Sequence, residues 1–481
     1  MSENKTEGQS LADILLYSTK NAWEKSDEEE VKKALDFCEG YKAFLDKAKT
    51  EREAALEIER LAKEHGFVSI DDLISSGTAL KPGMKVYRII KKKAAVLSVI
   101  GTDKLEEGVN ITGAHIDSPR IDLKQNPLYE DSGLALLKTH YYGGIKKYQW
   151  VTIPLALHGV IIKLNGNTEE VKIGEDDTDP VFTITDLLPH LAQDQMQKKM
   201  SDAINGEGLN ILSGSIPYSD EKVKEKIKLN ILKLLNEKYG IIEEDLISAE
   251  LEIVPAFKAK DVGFDRSLVG AYGQDDRVCA YCSLKSILEA ENLSKTAICL
   301  LTDKEEIGSV GNTGAESTIF QNFFSDLVYL REGTSSLPMV GRYLSNSRML
   351  SADVNSAVDP NYEGVQDKRN ASYVGKGIVI QKYTGARGKA GGSDANAEFV
   401  GYVRRILSQN NIIWQSGEIG KVDLGGGGTI AKFIADLGIE VIDCGIAVLS
   451  MHSPFEVTSK IDIYVSYKAF RAFYGDPVKK N

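Results

Sequence analysis

The sequence predicts an α/β protein in which one α/β domain is split by an inserted domain of mixed β and α structure. Three observations predict it. The chain has 481 residues, more than one compact core usually holds. After residue 275, apolar β-branched runs alternate with segments of helical spacing, the pattern of helices packed on a sheet. Between about residues 121 and 263 the texture changes to short β-like stretches separated by polar segments.

The elements follow in order. Residues 11–65 are rich in Glu, Lys, Ala and Leu at helical spacing and predict two opening helices. Strand-like runs follow at 94–100 and 109–116. In the inserted segment, β-like stretches at 150–153, 159–164 and 181–184 alternate with polar segments such as 174–179. A lysine-rich amphipathic helix is expected over 221–239, then a strand at 250–255. The last part predicts helix 276–291, strands 296–301, 349–354 and 377–381, helices 394–407 and 429–437, strand 440–443 and a closing helix over 461–474. The expected division is 1–120, an inserted domain over 121–263, and 264–481.

Composition narrows the partners. Hydrophobic residues make up 42% and charged residues 27%, ordinary for a globular protein in water. A net charge of -12 argues against nucleic acid or an anionic membrane as partner, since both select basic faces. The first ten residues lack the charged start and apolar run of a signal peptide. The most apolar stretch, 150–164, is short and interrupted by His158, so it reads as a strand and not a membrane span. Five cysteines are too few for a disulfide framework, and a reducing cytoplasm is expected. Cys279 and Cys282 form a CxxC inside a predicted helix, with no second CxxC to complete a zinc site; packing explains them.

The chemistry lies at predicted strand ends. His115 and Asp117 stand in GAHIDSP, directly after a strand. Residues i and i+2 of an extended chain share a face, so the carboxylate can accept one imidazole N–H and aim the other nitrogen at a metal. Asp275 and Asp276, in YGQDDRVCA, open a helix, where paired acids also complement the helix dipole. Glu305 and Glu306, in LLTDKEEIGS, follow an apolar strand. One can ligate a metal while the other faces a bound water. Asp353, in MLSADVNSA, is an acid at an apolar run, which costs free energy unless paired or metal-bound. His452, in AVLSMHSPFE, again follows an apolar run. Singly, each has an ordinary surface, cap or core explanation. As a set they supply the imidazoles, bridging carboxylate and free base that a dinuclear hydrolase needs, with metals roughly 3.5–4 Å apart.

Other motifs lead away from rival chemistries. The loop LGGGGTI, with Gly425 to Gly428, lacks the GK[ST] of a P-loop and reads as a tight turn that lets a ligand approach the backbone. Ser118, Ser351 and Ser453 flank the candidate ligands, but no GxSxG elbow is present.

GAHIDSP, the DD of GQDDR, EEIGS, SADVNSAVDPNY and MHSP resemble, in order and spacing, the aspartyl aminopeptidase and vacuolar aminopeptidase I type of cocatalytic metallopeptidase. The likeness runs from Gly113 to the C-terminus. It implies an α/β/α catalytic domain with a mixed central sheet, interrupted by a β-rich dimerisation domain. It implies two divalent metal ions per subunit, zinc first, with cobalt or manganese as alternatives. One ion would be held by His115 and Asp353 and the other by Glu306 and His452, with Asp275 bridging. Glu305 would be the general base, and Asp117 would orient His115. The substrates would be peptides, and the assembly a homo-oligomer of dimers, up to a twelve-subunit shell. His158, in IPLALHG, is similar to a family histidine that reaches a neighbouring subunit's site; its alternative is an ordinary strand histidine.

The sequence departs from the acid-selective members. Ser356 and Asp359 stand where histidines are expected, and Gln381 stands at the place of a lysine, with Lys382 pointing to the other face of the strand. A preference for neutral or apolar N-terminal residues follows. The rival readings are hydrolysis of a non-peptide amide at the same centre and a catalytically silent shell protein.

Overall fold

The structure is a computed structural model that describes residues 5–475; part of the N-terminal stretch read above lies outside them. The opening segment forms four helices where two were expected: Glu7–Leu15, Ala22–Lys25, Glu28–Lys47 and Glu51–Glu64. The breaks coincide with capping side chains. Asn21 and Asp27 each accept a backbone N–H of the helix they open, and Thr50 forms a capping box with Glu53.

Strands follow in chain order. The first part supplies β1 (Val68–Ser69), β2 (Lys85–Ile90), β3 (Ala94–Val99) and β4 (Asn110–His115). The middle supplies β5 (Arg120–Asp131), β6 (Leu134–Tyr142), β7 (Leu155–Ile162), β8 (Thr168–Ile173), β9 (Ile211–Gly214) and β10 (Ala249–Pro255). The last part supplies β11 (Lys260–Val262), β12 (Leu268–Ala271), β13 (Ala297–Thr302), β14 (Arg348–Ser351), β15 (Asn355–Ser356), β16 (Ile378–Gln381), β17 (Trp414–Ser416), β18 (Glu440–Gly445), β19 (Ala447–Leu449) and β20 (Glu456–Ser459).

These strands build a mixed nine-stranded sheet in the order β1-β2-β3-β13-β4-β14-β18-β16-β17. Its central strands are buried on both faces, and alternate side chains enter different cores. Leu97, Cys299, Leu301 and Leu350 pack with residues of helices Glu28–Lys47, Gln274–Leu288 and Lys460–Gly475. Val96, Ile298, Leu300 and Met349 pack on the other side with Phe323, Phe324 and Leu327 of helix Ile319–Glu332. That is an α/β/α sandwich.

A six-stranded antiparallel sheet, β8-β7-β10-β5-β6-β9, holds all the middle strands and its own apolar core around Ile121, Trp150 and Ile253. This sheet closes at Pro255, and β11 joins a five-stranded sheet, β11-β12-β20-β19-β15. Residues 150–153, expected as a strand, form none: Thr152 has φ +61° and Pro154 follows, so pairing starts at Leu155. Helix Leu337–Ser345, helix Ile319–Glu332 and strand β2 had no counterpart in the sequence reading. Among the described residues no helix is long and apolar enough to cross a membrane.

Candidate metal centre

Strands β13, β4 and β14 run parallel and end at one edge of the central sheet, where Thr302 lies opposite His115 and Ser351 opposite Gly113. The chain leaving each strand there carries part of one site, as expected at the carboxyl ends of strands in α/β sheets. His115 is the last residue of β4. Beyond β13, Lys304 turns with φ +66° into the short helical turn Glu305–Ile307. Asp353 follows β14, and His452, with φ +64°, lies between β19 and β20. Asp275 and Asp276 open helix Gln274–Leu288 behind Gly273. Gly273 has φ +69°, and a Cβ there would stand 2.3 Å from Nη1 of Arg277 and 2.9 Å from Oγ of Ser118. Only glycine fits that turn.

The two oxygens of Asp275 face different imidazoles. Oδ1 lies 3.2 Å from Nε2 of His115, and Oδ2 lies 3.2 Å from Nε2 of His452. Glu306 Oε2 is 3.5 Å from Nε2 of His452, and Glu305 Oε2 is 3.9 Å from Nε2 of His115. Three sets of potential ligand atoms lie within 4.8 Å of one another: His115 with Glu305 and Glu306, His115 with Asp276 and Asp353, and Asp275 with Glu306 and His452. The far side of each ring is also fixed. Nδ1 of His115 is 3.0 Å from the carbonyl oxygen of Asp117, and Nδ1 of His452 is 2.8 Å from that of Gly144. A carbonyl only accepts, so each Nδ1 carries hydrogen and each Nε2 is turned to the centre.

The electrostatics call for cations. Burial pushes the carboxyls of Glu306, Asp276 and Asp353 well above the usual range and that of Glu305 up to about 7. Burial works against charge on His452, but Asp275 and Glu306 outweigh it and lift its pKa to about 10. Oε1 of Glu306 and Oδ1 of Asp276 are buried with no hydrogen-bond partner among the described residues. Divalent ions fit this donor set: they would replace the protons that the crowded groups share and take up the orphaned oxygens.

Asp117 accepts the hydroxyl of Tyr142 at 2.8 Å and the N–H groups of Glu305 and Glu306, each at 3.2 Å. Burial opposes its charge, but His115 and Tyr142 hold its carboxyl below the usual range. Glu456 ties two ligand segments together, accepting the N–H of Asp275 at 3.0 Å and that of His452 at 2.7 Å. Tyr142, Gly144 and Glu456 gave no sequence signal as site residues. Asp276 was visible as the second acid of its pair.

His158 is placed apart from these residues. It is fully buried in β7, with Nδ1 3.0 Å from Glu53 and Nε2 3.0 Å from Glu175. Both ring nitrogens thus meet carboxylates of the same chain. Cys279 and Cys282 are buried and free in their helix, and Gly426 packs against the carbonyl of Gly385, 2.3 Å from where its Cβ would be.

Comparison with known proteins places these features in a wider group. The profile of the family described as aminopeptidase I zinc metalloprotease (M18) matches residues 44–474. A probable M18 family aminopeptidase 1 from Clostridium acetobutylicum is 54% identical over 462 residues, covering 96% of this chain and 99% of that one. Among solved structures, an M18 family aminopeptidase from Thermotoga maritima is 47% identical with a TM-score of 0.91, covering 95% of this chain and 99% of that one. Aminopeptidase I from Clostridium acetobutylicum is 51% identical with a TM-score of 0.90, covering 96% and 100%.

Proposed function

The chain belongs to the M18 family of aminopeptidase I zinc metalloproteases, and from that premise we propose that it removes N-terminal residues from peptides at a dinuclear centre with Glu305 as general base. The observation that carries the dinuclear reading is Asp275, whose two oxygens each stand 3.2 Å from a different imidazole. His115 and Asp353 would hold one ion, Glu306 and His452 the other, and Asp275 both. Zinc is the first choice, with cobalt or manganese binding such O/N donors in overlapping order. When bound, the ions would polarise the scissile carbonyl and acidify a water.

The chain's own residues do the rest. Glu305 is the glutamate whose backbone N–H is anchored on Oδ1 of Asp117, and burial brings its carboxyl to about 7. It takes a proton from the attacking water and returns it to the leaving amine. Asp117 holds the ring of His115 and both glutamate N–H groups, so one buried carboxylate sets three parts of the centre. His158 serves as a structural tie between β7 and the helix at Glu53.

Substrate selection rests on Gln381. Gln381 pairs with Asp443, which pairs in turn with Ser351, so it stands two strands, about 10 Å, from Ser351 at the metal-bearing edge. It is 1% exposed, its Nε2 has no hydrogen-bond partner among the described residues, and it lines an open cleft with Tyr383, Thr384, Arg387, Lys389 and Lys421. The buried donor in the cleft is therefore neutral, while Arg387, Lys389 and Lys421 are exposed, where water and salt screen them, and Lys389 is paired with Asp394. Neutral or apolar N-terminal residues are favoured over Asp and Glu.

The same reading keeps 121–263 as an inserted domain between 1–120 and 264–481, supported by the separate sheet of β5 to β10. It makes the protein a homo-oligomer of dimers, up to twelve subunits, working in the cytoplasm; the five buried, free cysteines fit a reducing compartment. The deciding experiment is release of N-terminal residues from a dipeptide library with added zinc, cobalt or manganese, beside metal counting. No release with any metal would overturn the reading.

A further inference from the structure

The last residue of β6 and the two residues that follow it lie against three different residues of the centre. Tyr142 ends β6, opposite Arg120 of β5. Its hydroxyl donates to Oδ2 of Asp117 at 2.8 Å, the same oxygen that accepts the N–H of Glu306. The ring itself is fixed. The guanidinium of Arg120 lies 4.0 Å from the ring centroid and is held by Glu51 at 3.3 Å and Glu252 at 3.1 Å. Gly143 comes next, with φ +74°; a Cβ there would stand 3.3 Å from Cβ of Glu306 and 3.4 Å from its Oε2. Gly144 follows, and its carbonyl accepts from Nδ1 of His452 at 2.8 Å.

We propose that residues 142–144 are a positioning strap through which the inserted sheet sets metal affinity at both halves of the centre. The proposal rests on the dinuclear reading above. Asp117 is fully buried, so it has no water to replace a lost donor. Tyr142 supplies a donor to the oxygen shared with Glu306, and so fixes the carboxylate that in turn holds His115. Gly144 keeps Nε2 of His452 facing Asp275 and Glu306. Gly143 lets the backbone pass over Glu306 with a positive φ, where a Cβ would be strained and would press Glu306 aside by a few tenths of an ångström. The rigid base of the strap is the ion cluster of Arg120, Glu51 and Glu252, which joins helix Glu51–Glu64 to β5 and β10. A disturbance of the inserted sheet thus reaches the metal ligands through one strand end.

The test compares zinc affinity by chelator competition, zinc stoichiometry, and kcat and KM at saturating zinc. Tyr142→Phe removes one hydroxyl and nothing else. Zinc affinity is expected to fall roughly 10–100-fold, as for loss of partners behind metal ligands, with kcat lowered and KM within about twofold. Tyr141→Phe is the control: it removes a hydroxyl one residue away on the opposite face of the same strand, from a ring 42% exposed. It should leave all four quantities unchanged. Gly143→Ala should weaken the half held by Glu306 and His452 first, so that zinc titrates in two separated steps. Affinity and kcat of Tyr142→Phe within about twofold of wild type would overturn the strap. Should that variant not fold, Gly143→Ala decides alone, and unchanged zinc binding in it overturns the strap equally. A wild-type protein that binds a single zinc would overturn the dinuclear reading and the action on two halves, while a Tyr142→Phe deficit at that zinc would still support positioning by Tyr142 through Asp117.

Discussion

Glu305 and Glu306 are adjacent in the chain and differ in what surrounds them. The side chain of Glu306 is 4% exposed and approaches His452, whereas that of Glu305 is 17% exposed and stands 3.9 Å from His115. The deeper residue suits a ligand and the more open one a base. Glu305→Gln should keep its zinc and lose about 10²-fold or more in kcat, measured by turnover beside metal counting. Loss of zinc in that variant would exchange the two roles. Ala at His115, Asp275, Glu306, Asp353 or His452 should remove both activity and metal, and two such variants with full activity and full metal would sink the ligand assignment. Gln381 carries the specificity argument. Wild type should favour Leu-leading over Asp-leading substrates in kcat/KM. Gln381→Lys should shift that ratio toward Asp by about tenfold, or about 1.4 kcal/mol of transition-state binding. A tenfold preference for Asp in the wild type would mean that Arg387 or Lys421 reads the side chain.

Elements hold the site through their ends more than their middles. The turn before helix Gln274–Leu288 admits only Gly273, with its positive φ and the Arg277 guanidinium against it. Gly273→Ala should destabilise the fold by more than about 1 kcal/mol, seen in denaturant unfolding with the slope unchanged. A second element-level test concerns β7. Burial disfavours a charged His158, but its bonds to Glu175 and Glu53 outweigh this and raise its pKa. A raised folded-state pKa contributes stability that is full below the unfolded value of about 6.5 and is lost as pH rises through the folded one. His158→Gln should therefore cost about 3 kcal/mol near pH 6, the scale for breaking a buried ion pair. The gap from wild type should shrink as the pH is raised above the unfolded value of about 6.5. A gap that stayed constant or widened would count against the charged tie.

At the scale of the molecule, the inserted segment leaves large apolar side chains in water. Leu191, Met196, Met200 and Ile216 are 67–75% exposed. Exposed apolar side chains of this kind are candidates for an interaction face, and the proposed homo-oligomer would place a second copy there. Light scattering should give a mass at least twice that of the chain. Leu191→Glu with Met196→Glu should reduce it, and an active wild-type monomer would count against the assembly. The change of texture at the six-stranded sheet was legible because it follows from a change in apolar periodicity, whereas the five-stranded sheet β11-β12-β20-β19-β15, built from short and distant strands, was not. The long β5–β6 hairpin was less legible: β5 mixes charged and apolar residues with no clean alternation, and its register is set by pairing with β6 and β10.

The sequence by itself determined the candidate ligand residues, and the structure brings them together at the ends of the strands expected to carry them. Those signals are local: an apolar run ending in HxD, EE or an isolated acid or His is readable within a few positions, because strand geometry fixes which residues share a face. Only the tertiary structure decided which oxygen of Asp275 meets which imidazole, and that Tyr142, Gly144 and Glu456 stand behind the ligands. It also placed His158 between Glu53 and Glu175. Gly144 and His452 are 308 positions apart, and Glu456 and Asp275 are 181 apart. Their meeting depends on how three sheets pack, and packing is a sum over the whole chain that no short stretch of sequence encodes.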